Sequence, residues 1–140
     1  MPTCNTFRIP TRRQHVPTAR HYVRKALAGW GIADELADRA ILSANELVTN
    51  AVTHCRVSHA RVRVTLILCG RELVLEVSDP DRDRPPRPRD PGPDEEGGRG
   101  LALVAALADS WGHRQGPYTK CVWARFRLTE AEGARVPVGS

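Results

Sequence analysis

Polar side chains recur at helical spacing inside an apolar segment, residues 34–54, whose 3.6-residue period predicts a long helix. The polar line consists of Arg39, Ser43, Glu46, Asn50 and Thr53. Glu46 and Asn50 are one turn apart, so a carboxylate and an amide oxygen would project in the same direction. Mg²⁺ takes few oxygen ligands from protein and completes its shell with phosphates and water. Asn50 is therefore a candidate Mg²⁺ ligand and Glu46 a candidate base, although such pairs also occur on solvated helices.

A glycine-rich segment, Gly97-Gly98-Arg99-Gly100-Leu101, runs directly into a second predicted helix. Glycines at a helix N-terminus let backbone N–H groups approach phosphate oxygens, and the helix dipole favours the negative charge. Arg99 would add a charged donor. The segment lacks the P-loop pattern and follows no strand, so it is a phosphate-binding candidate of another kind or simply a loop end.

A third candidate is Asp79, at the end of the predicted strand segment Val77-Ser78-Asp79. A carboxylate facing a cleft there can accept a hydrogen bond from an exocyclic amine such as that of adenine. Because Asp-Pro is also a common turn, Asp79 could instead only end the strand.

The elements that would position these residues are predicted from periodicity. A possible short strand spans Phe7–Ile9, and a first helix begins at Pro17 with Thr18 as its N-cap and ends at Gly29 and Gly31. The remaining elements are the helix at 34–54, a hairpin with strands at 60–68 and 72–78, a helix from 99 to 109 ending near Gly112, and a strand at 119–128. Runs of helices and mostly antiparallel strands predict an α+β fold, a two-layer sandwich.

The chain of 140 residues fits one domain. We expect a lead-in at 1–16, the domain at 17–128 and a tail at 129–140. The segment between the hairpin and the third helix, 79–97, contains six prolines and alternating Asp and Arg. A long segment of this kind inside a domain predicts a lid or binding loop, or else a surface insertion.

Composition excludes several classes of protein. No apolar stretch is long enough to span a membrane, and the N-terminus has no signal-peptide core, so we expect a cytoplasmic protein. The cysteines are widely spaced and predict free thiols, and a zinc site from His54, Cys55 and His59 would have an irregular ligand set. The net charge of +5 is concentrated in residues 1–33, which hold six basic side chains and no acidic one. The absence of a nucleic-acid-binding motif favours a protein-docking surface over nucleic acid.

The order of the motifs resembles one family. Glu46-Leu-Val-Thr-Asn50-Ala-Val-Thr-His54, then Val77-Ser-Asp79, then Gly98-Arg-Gly100-Leu-Ala-Leu-Val, then Val122-Trp-Ala resemble the successive boxes of the histidine-kinase-like ATPases. This is the Bergerat-fold group that includes gyrase B and the histidine kinases. The similarity covers about residues 17–128, and the Asn-Ala-Val-x-His and Gly-Arg-Gly-Leu wording resembles the stand-alone anti-sigma-factor serine kinases, in particular actinobacterial members.

The resemblance implies a Bergerat ATP-binding fold, with helices on one face of a mixed, mostly antiparallel sheet, and ATP and Mg²⁺ as ligands. Asn50 matches the Mg²⁺-coordinating asparagine, Glu46 the general base and Asp79 the residue that binds the adenine amine. The nucleotide-binding set would be completed by Gly98, Arg99, Gly100, Leu101 and Cys121, the last in place of a threonine near the adenine. The implied partners are a STAS-type anti-anti-sigma protein, phosphorylated on serine, and a sigma factor that the kinase sequesters; family members also often form homodimers.

One motif departs from the family pattern. Members have Asp-x-Gly-x-Gly, whereas Asp79 is followed by Pro80, Asp81, Arg82 and Asp83. Without those glycines the backbone cannot close over the base in the same way, and the added carboxylates would lie near the phosphates. This departure leaves open a second function, a non-catalytic pseudo-ATPase that binds a regulator. The basic N-terminal segment leaves open a third, a nucleic-acid-binding domain.

Overall fold

The computed structural model describes residues 2–55, 60–80, 98–116 and 119–129, with the backbone alone for 98–100. The strands are β1 (Thr3–Pro10), β2 (Arg61–Cys69), β3 (Glu72–Pro80), β4 (Ser110–Gln115) and β5 (Thr119–Arg127), and the helices are α1 (Val16–Gly29), α2 (Asp34–His54) and α3 (Gly98–Leu107). Most of the expected lid, 81–97, and of the expected tail, 130–140, lies outside the described residues.

The five strands form one sheet in the order β1-β2-β3-β5-β4, and every described pair is antiparallel. Alternate residues of β2 and β3 are buried, as expected for strands with one face covered. The helices pack on that face, with α1 against β1 and β2, and α2 against β2, β3 and β5. The predicted α+β two-layer sandwich with helices on one face is confirmed, with a fully antiparallel sheet in place of a mixed one.

Helix α2 runs along the middle of the helical layer and has the predicted bounds. Its apolar stripe is wide because α2 packs against the sheet, α1 and α3 at once. The buried members of the stripe are Leu36, Ala40, Ala44, Leu47, Val48 and Val52. Small alanines alternate with large residues along it, so neighbouring elements can approach closely while the leucines fill the space between them.

Helix α1 begins at Val16, with His15 in the N-cap position, so the prediction of Thr18 as the N-cap was wrong. Pro17 sits in the first turn, where its missing N–H is not needed, and Val16 is buried in the core. Burial of Val16 therefore determines where α1 begins more strongly than a capping hydroxyl from Thr18 would. The predicted strand at Phe7–Ile9 is longer than expected because β1 pairs with β2 over its whole length.

The expectation that α3 continues to Asp109 and ends near Gly112 was also wrong, since α3 ends at Leu107 and Gly112 lies inside β4. Gly112 is directly opposite Trp123 of β5. The indole ring covers the glycine so closely that a Cβ on Gly112 would lie 2.6 Å from its Cζ2 atom. The guanidinium of Arg125 stacks on the ring, 5.4 Å from its centroid. Gly112 is therefore a packing position in a strand, and its absence of a side chain makes room for Trp123.

None of the helices in the described ranges combines the length and apolar character needed to cross a bilayer.

We expect Gly112→Ala to destabilise the protein by about 1–3 kcal/mol, because the added methyl group would collide with a rigid ring. Gly29→Ala is the matched control: nothing lies within 4 Å of that position, so its stability should be close to that of the unmodified protein. Urea unfolding followed by circular dichroism measures both. Combining Gly112→Ala with Trp123→Leu should recover part of the loss, and equal losses in the two Trp123 backgrounds would contradict the assigned contact.

Candidate functional site

The C-terminal ends of α2 and β3 meet at one side of the molecule. The thiol of Cys55, which follows the last residue of α2, lies 3.6 Å from the carbonyl oxygen of Pro80 at the end of β3. Asp79 precedes Pro80 and is 5% exposed. Asn50 and Glu46 lie about one and two turns before the end of α2. The candidate polar side chains of α2 and β3, Glu46, Asn50 and Asp79, therefore lie toward the same end of the sandwich.

Helix α3 runs antiparallel to α2, so its N-terminus points to that same end. Its C-terminus is fixed at the opposite end, where the backbone N–H of Asp109 donates to the carbonyl of Arg125 and the Asp109 carboxylate accepts from the N–H of Arg127. Strand β4 then returns along β5 until Gln115 lies opposite Lys120. Ten residues of α helix span about 14 Å, which brings the first turn of α3 back toward the level of Asn50.

The predicted polar line of α2 faces α3. At one end of that line, Arg39 donates from Nη1 to the carbonyl oxygen of Leu107, at 3.1 Å. Ser43, one turn further, is fully buried, and Glu46 and Asn50 are half-buried. The polar line thus begins at the contact between Arg39 and Leu107 and ends with the half-buried Glu46 and Asn50, toward the N-terminal end of α3. A ligand entering there would meet an amide and a carboxylate from α2.

The first turn of α3 contains the predicted Gly98, Arg99 and Gly100. The backbone N–H groups of a first helical turn have no partner within their helix, and the dipole makes this end positive. The prediction that these N–H groups bind phosphate is consistent with their position in a first helical turn. The side chain of Arg99 lies outside what the structure describes, and Leu101 is half-buried against the core.

Cys121 is not brought together with these residues. Directly opposed residues on antiparallel strands point to the same face, and Asp79 is opposite Lys120, whereas Cys121 is opposite Ser78. Cys121 therefore lies on the sheet face away from the helices, where Arg114 donates to its sulfur at 3.5 Å. Arg114 also pairs with Glu76 at 3.1 Å, and this hydrogen bond raises the pKa of Arg114 above its ordinary value. The expected grouping of Cys121 with Asp79 was wrong, because the register places the two side chains on opposite faces of the sheet.

Lys120 is the residue that the sequence reasoning missed. It lies on the helix-facing side of β5, in register with Asp79, and is half-buried. A signal was present in the sequence: it is one of only two lysines in a chain dominated by arginine. The alternation of Val122, Ala124, Phe126 and Leu128 is consistent with Lys120 on the apolar face, but only the register of β3 with β5 shows that it lies opposite Asp79.

The oxygen donors of α2 fit Mg²⁺. Asn50 and Glu46 supply an amide and a carboxylate on one helix edge, the ligand types that a hard cation prefers. Within the described ranges, no group of three or more His, Cys, Asp and Glu side chains could hold a metal ion. A cation at Asn50 would therefore need further oxygen atoms from a phosphate ligand or water. His59 of the alternative zinc set lies outside the described residues, and the cysteines are free thiols.

One end of the sandwich thus carries the N-terminus of α3, the oxygen-bearing side chains of Glu46 and Asn50 on α2, and the buried carboxylate of Asp79. The family profile for the histidine kinase-like ATPase domain matches residues 9–126. The chain belongs to this family, as the motifs had indicated. The curated proteins searched contain no match to the sequence.

Two solved structures share the fold. The RsbU and RsbW domains of Rv1364c from Mycobacterium tuberculosis superpose with a TM-score of 0.68 at 20% identity, covering 89% of this chain and 32% of that one. The histidine kinase domain of the blue-light-activated kinase EL346 from Erythrobacter litoralis gives 0.53 at 19% identity, covering 91% of this chain and 65% of that one. The chain thus spans about a third of the first protein and just under two thirds of the second. At these identities the likeness establishes the fold alone.

We expect Arg39→Met to loosen α3, because the substitution removes the donor to the Leu107 carbonyl while keeping most of the side chain volume. Native-state hydrogen exchange should show faster exchange of the α3 amides, corresponding to about 1–2 kcal/mol. Glu35→Gln is the matched control. It removes the other interaction of Arg39, an exposed ion pair with a long N···O distance of 4.0 Å that contributes little to stability. Unchanged α3 protection in Arg39→Met would show that this contact does not hold the helix in place.

Proposed function

We propose that the chain binds ATP with Mg²⁺ at the end of the sandwich where α2, α3 and β3 meet. The convergence of Asn50, Asp79 and the α3 N-terminus at that end supports the proposal most strongly. Asp79 would accept a hydrogen bond from the adenine amine. The N–H groups of Gly98 and Gly100, and the charge of Arg99, would hold the phosphates. Asn50 would hold Mg²⁺, which neutralises phosphate charge when bound.

We further propose that the bound nucleotide is used in a serine-kinase reaction. The serine oxygen of an anti-anti-sigma protein of the STAS type would attack the γ-phosphorus, the bond to the bridging β-γ oxygen would break, and ADP would leave. Glu46 would accept the serine proton. Positioning and charge stabilisation would supply most of the rate. Two observations support this class of cytoplasmic regulator: the fold shared with a protein described as containing an RsbW domain, and motifs that resemble those of the anti-sigma-factor kinases. Such a regulator would also sequester a sigma factor.

A specific observation favours a second function, a non-catalytic module that binds its partner without turnover. Pro80 continues β3 opposite Thr119 and accepts from the Cys55 thiol, so the chain just after Asp79 is part of the sheet. The family's glycines are absent there. A site that binds the base but holds the phosphates loosely would bind nucleotide without transferring phosphate efficiently.

The basic N-terminal segment, residues 1–33, would contact the partner, but not through all of its arginines. Arg20 donates from Nη1 to the amide oxygen of Asn45 at 2.6 Å and ties α1 to α2. Arg24 is exposed on the outer surface of α1. Charge complementarity to an acidic partner surface would therefore involve Arg24, while Arg20 stabilises the helical layer.

We expect Asn50→Ala to weaken ATP binding about tenfold or more in Mg²⁺, and to have much less effect when Mg²⁺ is removed with EDTA, because only the metal contact is lost. Asn5→Ala, which removes the same amide from an exposed position on β1, should leave affinity unchanged. Isothermal titration calorimetry measures each case. Absence of ATP binding by the unmodified protein at high micromolar concentration would refute the proposed nucleotide site, and an equal loss with and without Mg²⁺ would refute the role of Asn50.

We expect Glu46→Gln to lower phosphorylation of a cognate serine partner by about 10²–10⁴-fold, because the amide cannot accept the proton, while ATP affinity changes little. Glu35→Gln, on the exposed side of the same helix, is the matched control. Transfer of labelled phosphate to the partner is the measurement. Full transfer by Glu46→Gln would exclude the assigned base, whereas ATP binding with no transfer by the unmodified protein would favour the non-catalytic module.

A further inference from the structure

The cross-strand pair Asp79–Lys120 places a hydrogen-bond acceptor, the carboxylate, beside a hydrogen-bond donor, the ammonium group. The residues are directly opposed on β3 and β5, and both lie on the face that carries the site. Directly opposed residues have Cβ atoms about 4.5–5.5 Å apart. Asp79 is nearly fully buried and Lys120 is half-buried, so neither side chain is fully exposed to solvent. The pair forms one wall at the end of the sandwich.

An ionised carboxylate only accepts hydrogen bonds, and an ammonium group only donates them. Adenine presents the complementary pattern on its Watson–Crick edge: the exocyclic N6 amine donates and the adjacent ring nitrogen N1 accepts. Guanine presents the reverse, since its O6 accepts and its N1–H donates. A wall with one acceptor beside one donor can therefore recognise adenine at two points and disfavour guanine at both.

We infer that Lys120 is a specificity-determining residue that donates from Nζ to adenine N1 while Asp79 accepts from N6. The inference rests on the proposed nucleotide site and adds to it a second contact with the base. The register assigns Lys120 to the base rather than to the phosphates. Its strand partner Asp79 is the residue proposed to accept from the amine, whereas the proposed phosphate donors lie at the start of α3 and the proposed Mg²⁺ ligand lies on α2. A single donor–acceptor wall also explains why a long cation stands beside a buried carboxylate.

The test compares ATP with 1-deaza-ATP, in which N1 is replaced by C–H and the amine is retained. The unmodified protein should bind 1-deaza-ATP about tenfold or more weakly than ATP, as expected for a lost hydrogen bond to a charged group. 7-Deaza-ATP, altered on the opposite edge of the base, should bind like ATP. Lys120→Met should lose affinity for ATP by a similar factor and should then bind ATP and 1-deaza-ATP equally. Lys120→Arg, which keeps a donor, should retain part of the preference for ATP.

Each result separates this contact from the site as a whole. If the unmodified protein binds ATP and 1-deaza-ATP equally, the Lys120 contact is refuted while the nucleotide site stands. If Lys120→Met weakens both ligands by the same factor and keeps the preference for ATP, Lys120 acts elsewhere and the inference is again refuted. If the unmodified protein binds no nucleotide, the site itself is refuted and the contact with it. Circular dichroism of Lys120→Met and Lys120→Arg establishes that both variants fold.

A second readout needs no substitution. The chain has two lysines, Lys25 on the exposed side of α1 and Lys120 beside Asp79. We expect ATP to protect Lys120 from an amine-directed acylating reagent while Lys25 reacts at the same rate with and without nucleotide, as measured by peptide mass spectrometry. Equal reaction of Lys120 in both conditions would contradict the assigned contact.

Discussion

The in-register pairing of β3 with β5 is the constraint on which the site depends. Side chains alternate between the two faces of a sheet, so this register decides which residues face the helices. It places Asp79 and Lys120 on the covered face and sends Cys121 to the other. The register is specified by the core, because Leu73, Leu75 and Val77 of β3 are opposite Phe126, Ala124 and Val122 of β5. A slip of one residue would expose this apolar set and remove both charged groups from the site.

The same dependence on distant packing applies to the helices that complete the site. Helix α3 has its N-terminus toward the end of the sandwich that carries Asn50, because its other end is hydrogen-bonded to β5 through Asp109 and to Arg39 of α2. Strand β4 can pair closely with β5 only where Gly112 lets Trp123 lie flat. A ligand at one end of the sandwich thus relies on a glycine and an indole on the opposite face of the sheet.

The sequence predicted those parts of the structure that have a strong local period. Helix α2 has the predicted bounds because its apolar stripe repeats over 21 residues, and the β2–β3 hairpin follows from strict alternation. Strand β4 could not be found this way, since Ser110–Gln115 has no alternation and is stabilised by a cross-strand contact with Trp123. The N-cap at Thr18 failed for a similar reason, because burial of Val16 sets the helix start. On β5 the alternation of Val122, Ala124 and Phe126 indicated which face is buried, but the position of Lys120 opposite Asp79 needed the register.

The sequence that follows Asp79 departs from the family pattern. A glycine turn following the aspartate would let the backbone close over a bound base, and this chain has no glycine between Asp79 and Gly92. Pro80 has no N–H, and its carbonyl accepts from Cys55. In the proposed site this segment would therefore contribute less to holding the base than the family's glycine turn does. A two-point contact from Asp79 and Lys120 to adenine would offset that deficit, since hydrogen bonds to charged groups are stronger than those between neutral ones. In the proposed site the altered motif and Lys120 would be two parts of one arrangement, in which a second side-chain contact to the base offsets the lost backbone closure.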